Sequence, residues 1–187
     1  MRRFFVPPKN IKVSDVTITG TDVKHLRQVL RLSVGDKIIV CDGKGNEYRV
    51  KINQIDKSEV KGIILERITS PINKSQVALF QGIPRGTKMD LIVRQVTELG
   101  ISKIVPLVTE RTVIRLDKER AEKKVSRWQR IALEAAKQSQ RITVPEVTAI
   151  QSWSEALKEL ERFRLILVPW EEEKERSIKQ ILSEVQE

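Results

Sequence analysis

Cysteine and histidine are nearly absent: the 187 residues hold one of each, Cys41 and His25. A single cysteine excludes an internal disulfide and fits a reducing compartment. One cysteine and one histidine cannot furnish a zinc site of the usual kind, and they give no credible Ser-His-Asp or Cys-His catalytic set. No run of eighteen apolar residues occurs, so no membrane span is expected. The opening MRRFFVPPKN is too short and too interrupted by proline for a signal peptide. A cytoplasmic protein without metal is the resulting expectation. Neither a Gly-x-Gly-x-x-Gly turn after a strand nor a P-loop lysine signature is present, which leaves dinucleotide and nucleoside triphosphate binding without support.

Basic charge is what the chain has in excess, net +10, and it is uneven. Residues 1–72 carry 14 basic and 8 acidic groups, residues 73–145 carry 15 and 7, and residues 146–187 carry 6 and 10. A basic body with an acidic end points to a polyanion partner, with nucleic acid the leading candidate.

The stretch Val77 to Arg111 organises the rest. Val77, Leu79 and Phe80 give a short buried-strand pattern, which Gly82, Pro84 and Gly86 break into a loop carrying Arg85 and Lys88. From Thr87 the spacing of Met89, Ile92, Val93, Val96 and Leu99 predicts a helix, and Gly100 sits where a left-handed terminal residue belongs. Ile104 to Val108 is the next strand. Strand, helix and strand of this length make a βαβ crossover and parallel pairing. Ligands in such sheets bind beyond the carboxyl ends of the strands. Gln81, Arg85, Lys88, Glu110 and Arg111 should converge there.

Residues 1–70 read as short strands around one helix, capped by Thr21 and running from Asp22 to about Arg31, which suggests a small β-barrel. Lys37–Asp42 and Glu47–Ile55 form a hairpin about Gly43-Lys44-Gly45-Asn46, and Glu59–Ile68 is a further strand. Ser70 to Ser75 looks like a linker, placing a domain boundary near residue 72. Asp117 opens a long helix to about Gln140, ended by the polar segment Gln138 to Pro145, which holds Gln138, Ser139 and Arg141. Ser152 caps another helix, Leu165–Val168 is expected as a strand stopped by Pro169-Trp170, and a last helix runs from Ser177 to Val185. The residues alone give a basic two-domain α/β protein that meets nucleic acid, and no reaction.

A resemblance adds one. Arg3-Phe4-Phe5, the run His25-Leu26-Arg27-Gln28-Val29-Leu30-Arg31, Gly35-Asp36 and Asp42-Gly43-Lys44-Gly45 resemble the bacterial small-subunit ribosomal RNA (uracil-N3)-methyltransferase family. So do Gln81-Gly82 to Lys88-Met89, Glu98-Leu99-Gly100, Pro106-Leu107, Glu110-Arg111, Trp128, Ala135-Ala136, Gln138-Ser139, Arg141 and Val144-Pro145. That family is a branch of the knotted SPOUT methyltransferases. The resemblance implies a PUA-like RNA-binding β-barrel, residues 1–72, followed by a SPOUT-type α/β-knot methyltransferase domain, residues 73–187. It further implies a homodimer that uses S-adenosylmethionine to methylate N3 of one uridine in 16S ribosomal RNA. Arg3, Arg27, Arg31, Arg85, Lys88, Arg111, Gln138 and Arg141 are the implied RNA contacts. Leu167, Val168, Pro169 and Trp170 would form the first wall of the cofactor pocket. No general base is assigned; Glu98 and Glu110 are conceivable.

Two departures from the family pattern stand out. The Gly-Pro-Glu-Gly-Gly and Leu-Arg-x-Glu-Thr stretches of the knotted carboxyl-terminal segment do not occur, so a longer natural chain is expected, with these 187 residues binding the cofactor poorly or not at all. A smaller departure lies at Lys137 and Gln140, in a segment that often reads Glu-Gln-Ser-Gly-Arg in relatives. The alternative is a non-catalytic RNA-binding module lacking the cofactor knot.

Overall fold

The computed structural model describes residues 1–68, 76–109, 117–170, 172–174 and 176–185. They fall into two compact units, Met1–Trp153 and Ser154–Glu187. The expected linker and the boundary near residue 72 lie outside the described residues.

The amino-terminal half of the first unit is a curled five-stranded sheet. In chain order its strands are β1 (Arg3–Phe5), β2 (Asp15–Thr19), β3 (Lys37–Cys41), β4 (Glu47–Ile55) and β5 (Glu59–Ile68), paired in the order β1-β3-β4-β5-β2. The expected barrel is therefore open, because its terminal strands β1 and β2 do not pair with each other. Register shifts at Arg49/Val50 and Ile52/Gln54 supply the local twist that curls the sheet. Alternating residues put Val16, Ile18, Ile38, Val40, Val50, Ile52 and Val60 into one core with Phe4, Val6, Val23 and Leu26. Gly62 is fixed by packing: a Cβ there would stand 2.3 Å from Val50 Cγ1.

The helix expected from Asp22 to Arg31 is shorter and differently capped. Gly20, at φ 76°, occupies the cap position, so Thr21 is the first helical residue of α1 (Thr21–Lys24). A π-helical turn over His25–Val29 follows, closed by Leu30 N–H donating to the His25 carbonyl at 2.9 Å. Val29 is exposed there, while Leu30, four residues after the buried Leu26 and so on its face, packs against the core.

The second half of the unit is a parallel sheet. Strand β6 (Ala78–Gly82) leads through α2 (Lys88–Leu99) to β7 (Lys103–Val108), and α3 (Lys118–Gln138) leads to β8 (Glu146–Val147) and β9 (Gln151–Ser152). Strand β7 pairs in parallel with β6 on one side and with β8 and β9 on the other. The last two strands escape sequence reading because each is two residues long. Their interruption has a cause in β7. The Ile104 carbonyl faces Thr148 and the Leu107 carbonyl faces Ile83, so by alternation Pro106 faces the gap between β8 and β9. Proline has no N–H to donate there. Ile83, Met89, Val93, Ile104, Trp128, Ala132 and Val147 form this half's own core.

The second unit, with α4 (Trp153–Leu160) beginning at its boundary, ends in α5 (Ile178–Glu184). Ser177 caps α5 and exchanges hydrogen bonds with Gln180 in a capping box. The strand expected at Leu165–Val168 is not formed: the segment pairs with no described strand. An apolar run becomes a strand only where a neighbour takes its backbone groups, and Val168 is instead 79% exposed.

Candidate nucleic-acid interface

All strands of the second sheet point the same way, so Gly82, Val108 and Ser152 mark its carboxyl-terminal edge. Arg85 and Lys88 both lie there, exposed, in the loop and first residue at the start of α2. A helix amino terminus carries partial positive charge, so this corner attracts anions from both side chains and backbone. Gln81 instead turns back, its Nε2 donating to the Gly82 carbonyl at 2.9 Å. Glu110 and Arg111 lie outside the described residues.

Arg141 is elsewhere. Its Nε and Nη2 donate to the Glu98 carbonyl at 3.0 and 2.7 Å, covering the last turn of α2. The twelve residues of α2 separate it from Lys88 by about 18 Å, at the opposite edge of the sheet. Gly100, at φ 92°, lets the guanidinium approach, since a Cβ would stand 2.7 Å from Nη1. The structure therefore brings Arg85 and Lys88 together and does not bring Arg141 to them. Glu98, one of the conceivable bases, also sits at this far end, exposed.

Arg3 and Gln138 meet at a cleft of about 550 Å³, lined from the amino-terminal half by Arg2, Arg3, Asp22 and His25 and from α3 by Glu134, Lys137 and Gln138. Arg3 is engaged twice: Nη2 pairs with the buried Glu47 carboxylate at 3.2 Å, and Nη1 donates to the Gln140 carbonyl at 2.9 Å. Lys137 Nζ pairs with Asp22 Oδ1 at 3.4 Å. Gln140 has φ 57°, the left-handed region that glycine adopts without strain. Lys137 and Gln140, the two positions of the smaller departure, thus both line one junction. Arg27 and Arg31 are exposed on and just after the π-helical turn, Arg31 with φ 50°. Neither is among the residues that line the cleft.

Several contacts escaped sequence reading because their partners are far apart in the chain. Asp90, in the first turn of α2, accepts from Trp128 Nε1 at 3.2 Å and pairs with Arg127, tying α2 to α3. Lys124 Nζ lies 5.8 Å from the Trp128 ring centroid. Cys41 is fully buried beside Glu47; burial first, and then the Glu47 charge, push its thiol from 9.0 up to about 12. It is therefore a packed residue and no nucleophile.

The expected cofactor wall fits poorly as it stands. Leu167, Val168 and Trp170 are 37, 79 and 65% exposed, and Pro169 beside them is exposed too, so these four residues alone enclose no ligand. Among the described residues no group of three or more His, Cys, Asp or Glu side chains is placed to hold a metal. No described helix is long and apolar enough to cross a membrane.

Comparison with known proteins gives the arrangement its family. Residues 71–187 match the RNA methyltransferase domain, and residues 18–65 match the RNA methyltransferase PUA domain. Ribosomal RNA small subunit methyltransferase E of Bacillus subtilis is 33% identical over 179 residues, covering 92% of this chain and 69% of that protein. The protein of the same name from Synechocystis is 36% identical over 149 residues, covering 79% and 47%. The crystal structure of a ribosomal RNA small subunit methyltransferase E from Neisseria gonorrhoeae bound to S-adenosyl methionine superposes with a TM-score of 0.72 at 36% identity. That likeness covers 85% of this chain and 66% of the Neisseria chain. The chain belongs to the RNA methyltransferase family, with an RNA methyltransferase PUA domain preceding the methyltransferase domain.

Proposed function

We propose that the protein is an S-adenosylmethionine-dependent methyltransferase that modifies N3 of a uridine in 16S ribosomal RNA. The observation that carries this is the shared fold, at 36% identity, with a ribosomal RNA methyltransferase solved with that cofactor. In this reading residues 1–72 are the RNA-binding PUA-like domain and residues 73–187 belong to the methyltransferase domain. Family matches that stop at residue 65 and start at residue 71 support that division. The α/β knot is assigned to the part of the family's length that this chain does not span, 31% of it in the Bacillus relative, which the chain covers to 69%. Assembly as a homodimer, with work on ribosomal RNA in the cytoplasm, completes the proposal.

The cofactor supplies an electrophilic methyl group when bound, with Leu167 to Trp170 proposed as one wall of its pocket. This chain's own residues grip and orient the RNA. Arg85 and Lys88 at the start of α2, with Arg111 assigned beside them, hold phosphates next to the reacting uridine. Uracil N3–H is weakly acidic, so a cation near the ring oxygens favours its loss, and fixed in-line positioning supplies much of the remaining acceleration. Arg3, Arg27, Arg31, Gln138 and Arg141 are proposed to act farther out, on the RNA that leads to the site. Single-stranded or looped RNA is the fitting form, because base edges are hidden in an A-form helix.

The test is transfer of tritiated methyl from the cofactor to 16S ribosomal RNA by the natural protein, followed by nucleoside analysis. Label in 3-methyluridine is expected. RNA that is bound but never labelled would leave only the RNA-binding module.

A further inference from the structure

We infer that the cleft between the π-helical turn and the end of α3 holds one unpaired RNA nucleotide, its phosphate on Arg2 and its base between His25 and Gln138. The inference rests on the RNA-binding reading above and adds a site to it.

The cleft is small, about 550 Å³, within the roughly 300–1,000 Å³ range of small-ligand sites. Its cations are mostly engaged. Arg3 is held by Glu47 and the Gln140 carbonyl, and Lys137 by Asp22. Arg2 and Gln138 are exposed and form no side-chain hydrogen bond or ion pair among the described residues. His25 is exposed too, its ring edge-on to Phe4 at 6.4 Å between centroids and 65° between planes. Beside the exposed Glu134 carboxylate, which lies 4.0 Å from Lys137 Nζ, what the lining offers a ligand is therefore the Arg2 guanidinium, the His25 ring and the Gln138 amide.

That set matches a nucleotide group by group. The guanidinium takes a phosphate, the imidazole stacks on a base, and an amide both donates to and accepts from a base edge. A long polyanion would need a row of unengaged cations instead. The walls are also fixed by two uncommon backbone features: the π-helical turn that begins at His25, and Gln140, left-handed with its carbonyl held by Arg3. Such features gather at functional positions. A nucleotide seated here touches both the curled sheet and α3, so RNA held in the cleft is positioned against the methyltransferase half of the same unit.

The test is fluorescence anisotropy with a short, unstructured, dye-labelled RNA and the full 187-residue chain, across a salt series. Arg2→Gln should weaken binding and reduce the slope of log affinity against log salt by about 0.7, the signature of one lost phosphate contact to a single strand. His25→Ala and Gln138→Ala should weaken binding roughly fivefold or more and leave that slope unchanged. Lys57→Gln, an exposed cation outside the cleft, should bind as the unaltered chain does. Circular dichroism melts confirm that each variant is folded. Unchanged affinity in Arg2→Gln and Gln138→Ala, with normal binding by the unaltered chain, overturns the cleft and spares the RNA-binding reading. No binding by the unaltered chain overturns both.

Discussion

Replacing Gly100 by alanine should cost more stability when Arg141 is present than when it is absent. Gly100 ends α2 at φ 92°, a region that costs an L-residue about 1–2 kcal/mol. Lower chain entropy in the unfolded state returns part of this, leaving a backbone cost of about 1 kcal/mol. The added Cβ also stands 2.7 Å from Arg141 Nη1 and 2.8 Å from Cζ. A flexible side chain relieves that contact by moving, but the movement breaks its two bonds to the Glu98 carbonyl. A cation at a helix carboxyl terminus is worth about 0.3–1 kcal/mol, toward the lower end here because Arg141 is exposed. In an Arg141→Ala background only the backbone cost remains. Urea unfolding of the four proteins of the cycle, followed by far-ultraviolet circular dichroism, should give a coupling of about 0.5 kcal/mol. Equal costs of Gly100→Ala in both backgrounds would refute the proposed cap.

Arg3→Met should destabilise more than Glu47→Gln in the same assay, by about 1 kcal/mol, because the first removes the Arg3 charge from beside a buried carboxylate while the second leaves a guanidinium that water reaches. Asp90→Ala should cost about 1–2 kcal/mol and red-shift tryptophan fluorescence, since it frees Trp128 Nε1 and Arg127 together. The Cys41 thiol keeps its proton in the folded state up to about 12, while the unfolded thiol loses it near 9.0. The folded state therefore binds more protons across that window. Its stabilising contribution is complete below pH 9.0 and is lost as pH rises toward about 12, by up to about 1.4 kcal/mol per unit. The difference in unfolding free energy between the unaltered chain and Cys41→Ala should shrink over that range; a constant difference would contradict the burial argument.

The βαβ unit was legible because two signals agreed. The apolar spacing in 88–99 matches a helix face, and Gly100 ends it in the left-handed conformation observed. The hairpin strands β3 and β4 were legible for a similar reason, with Gly43 and Gly45 both at positive φ between two alternating runs. Strands β8 and β9 were not, since two residues give no period and Pro106 interrupts their ladder from the neighbouring strand. Leu165–Val168 misled because an apolar run reports hydrophobicity and says nothing about a pairing partner. Charge located the candidate site only in part. Arg85 and Lys88 do stand at the strand ends, but Arg3 and Arg141, implied as RNA contacts by the resemblance, are both bound to backbone carbonyls that no local pattern reveals. The junction of Asp22, Lys137, Arg3 and Gln140 joins residues from opposite ends of the first unit, so only the folded chain displays it.

The most direct measurement is the modification map of 16S ribosomal RNA from the native host, with the gene present, deleted and restored. The account predicts one 3-methyluridine that disappears on deletion and returns with the gene, but returns weakly or not at all with Arg85 and Lys88 both changed to glutamine. An unchanged map after deletion would contradict it.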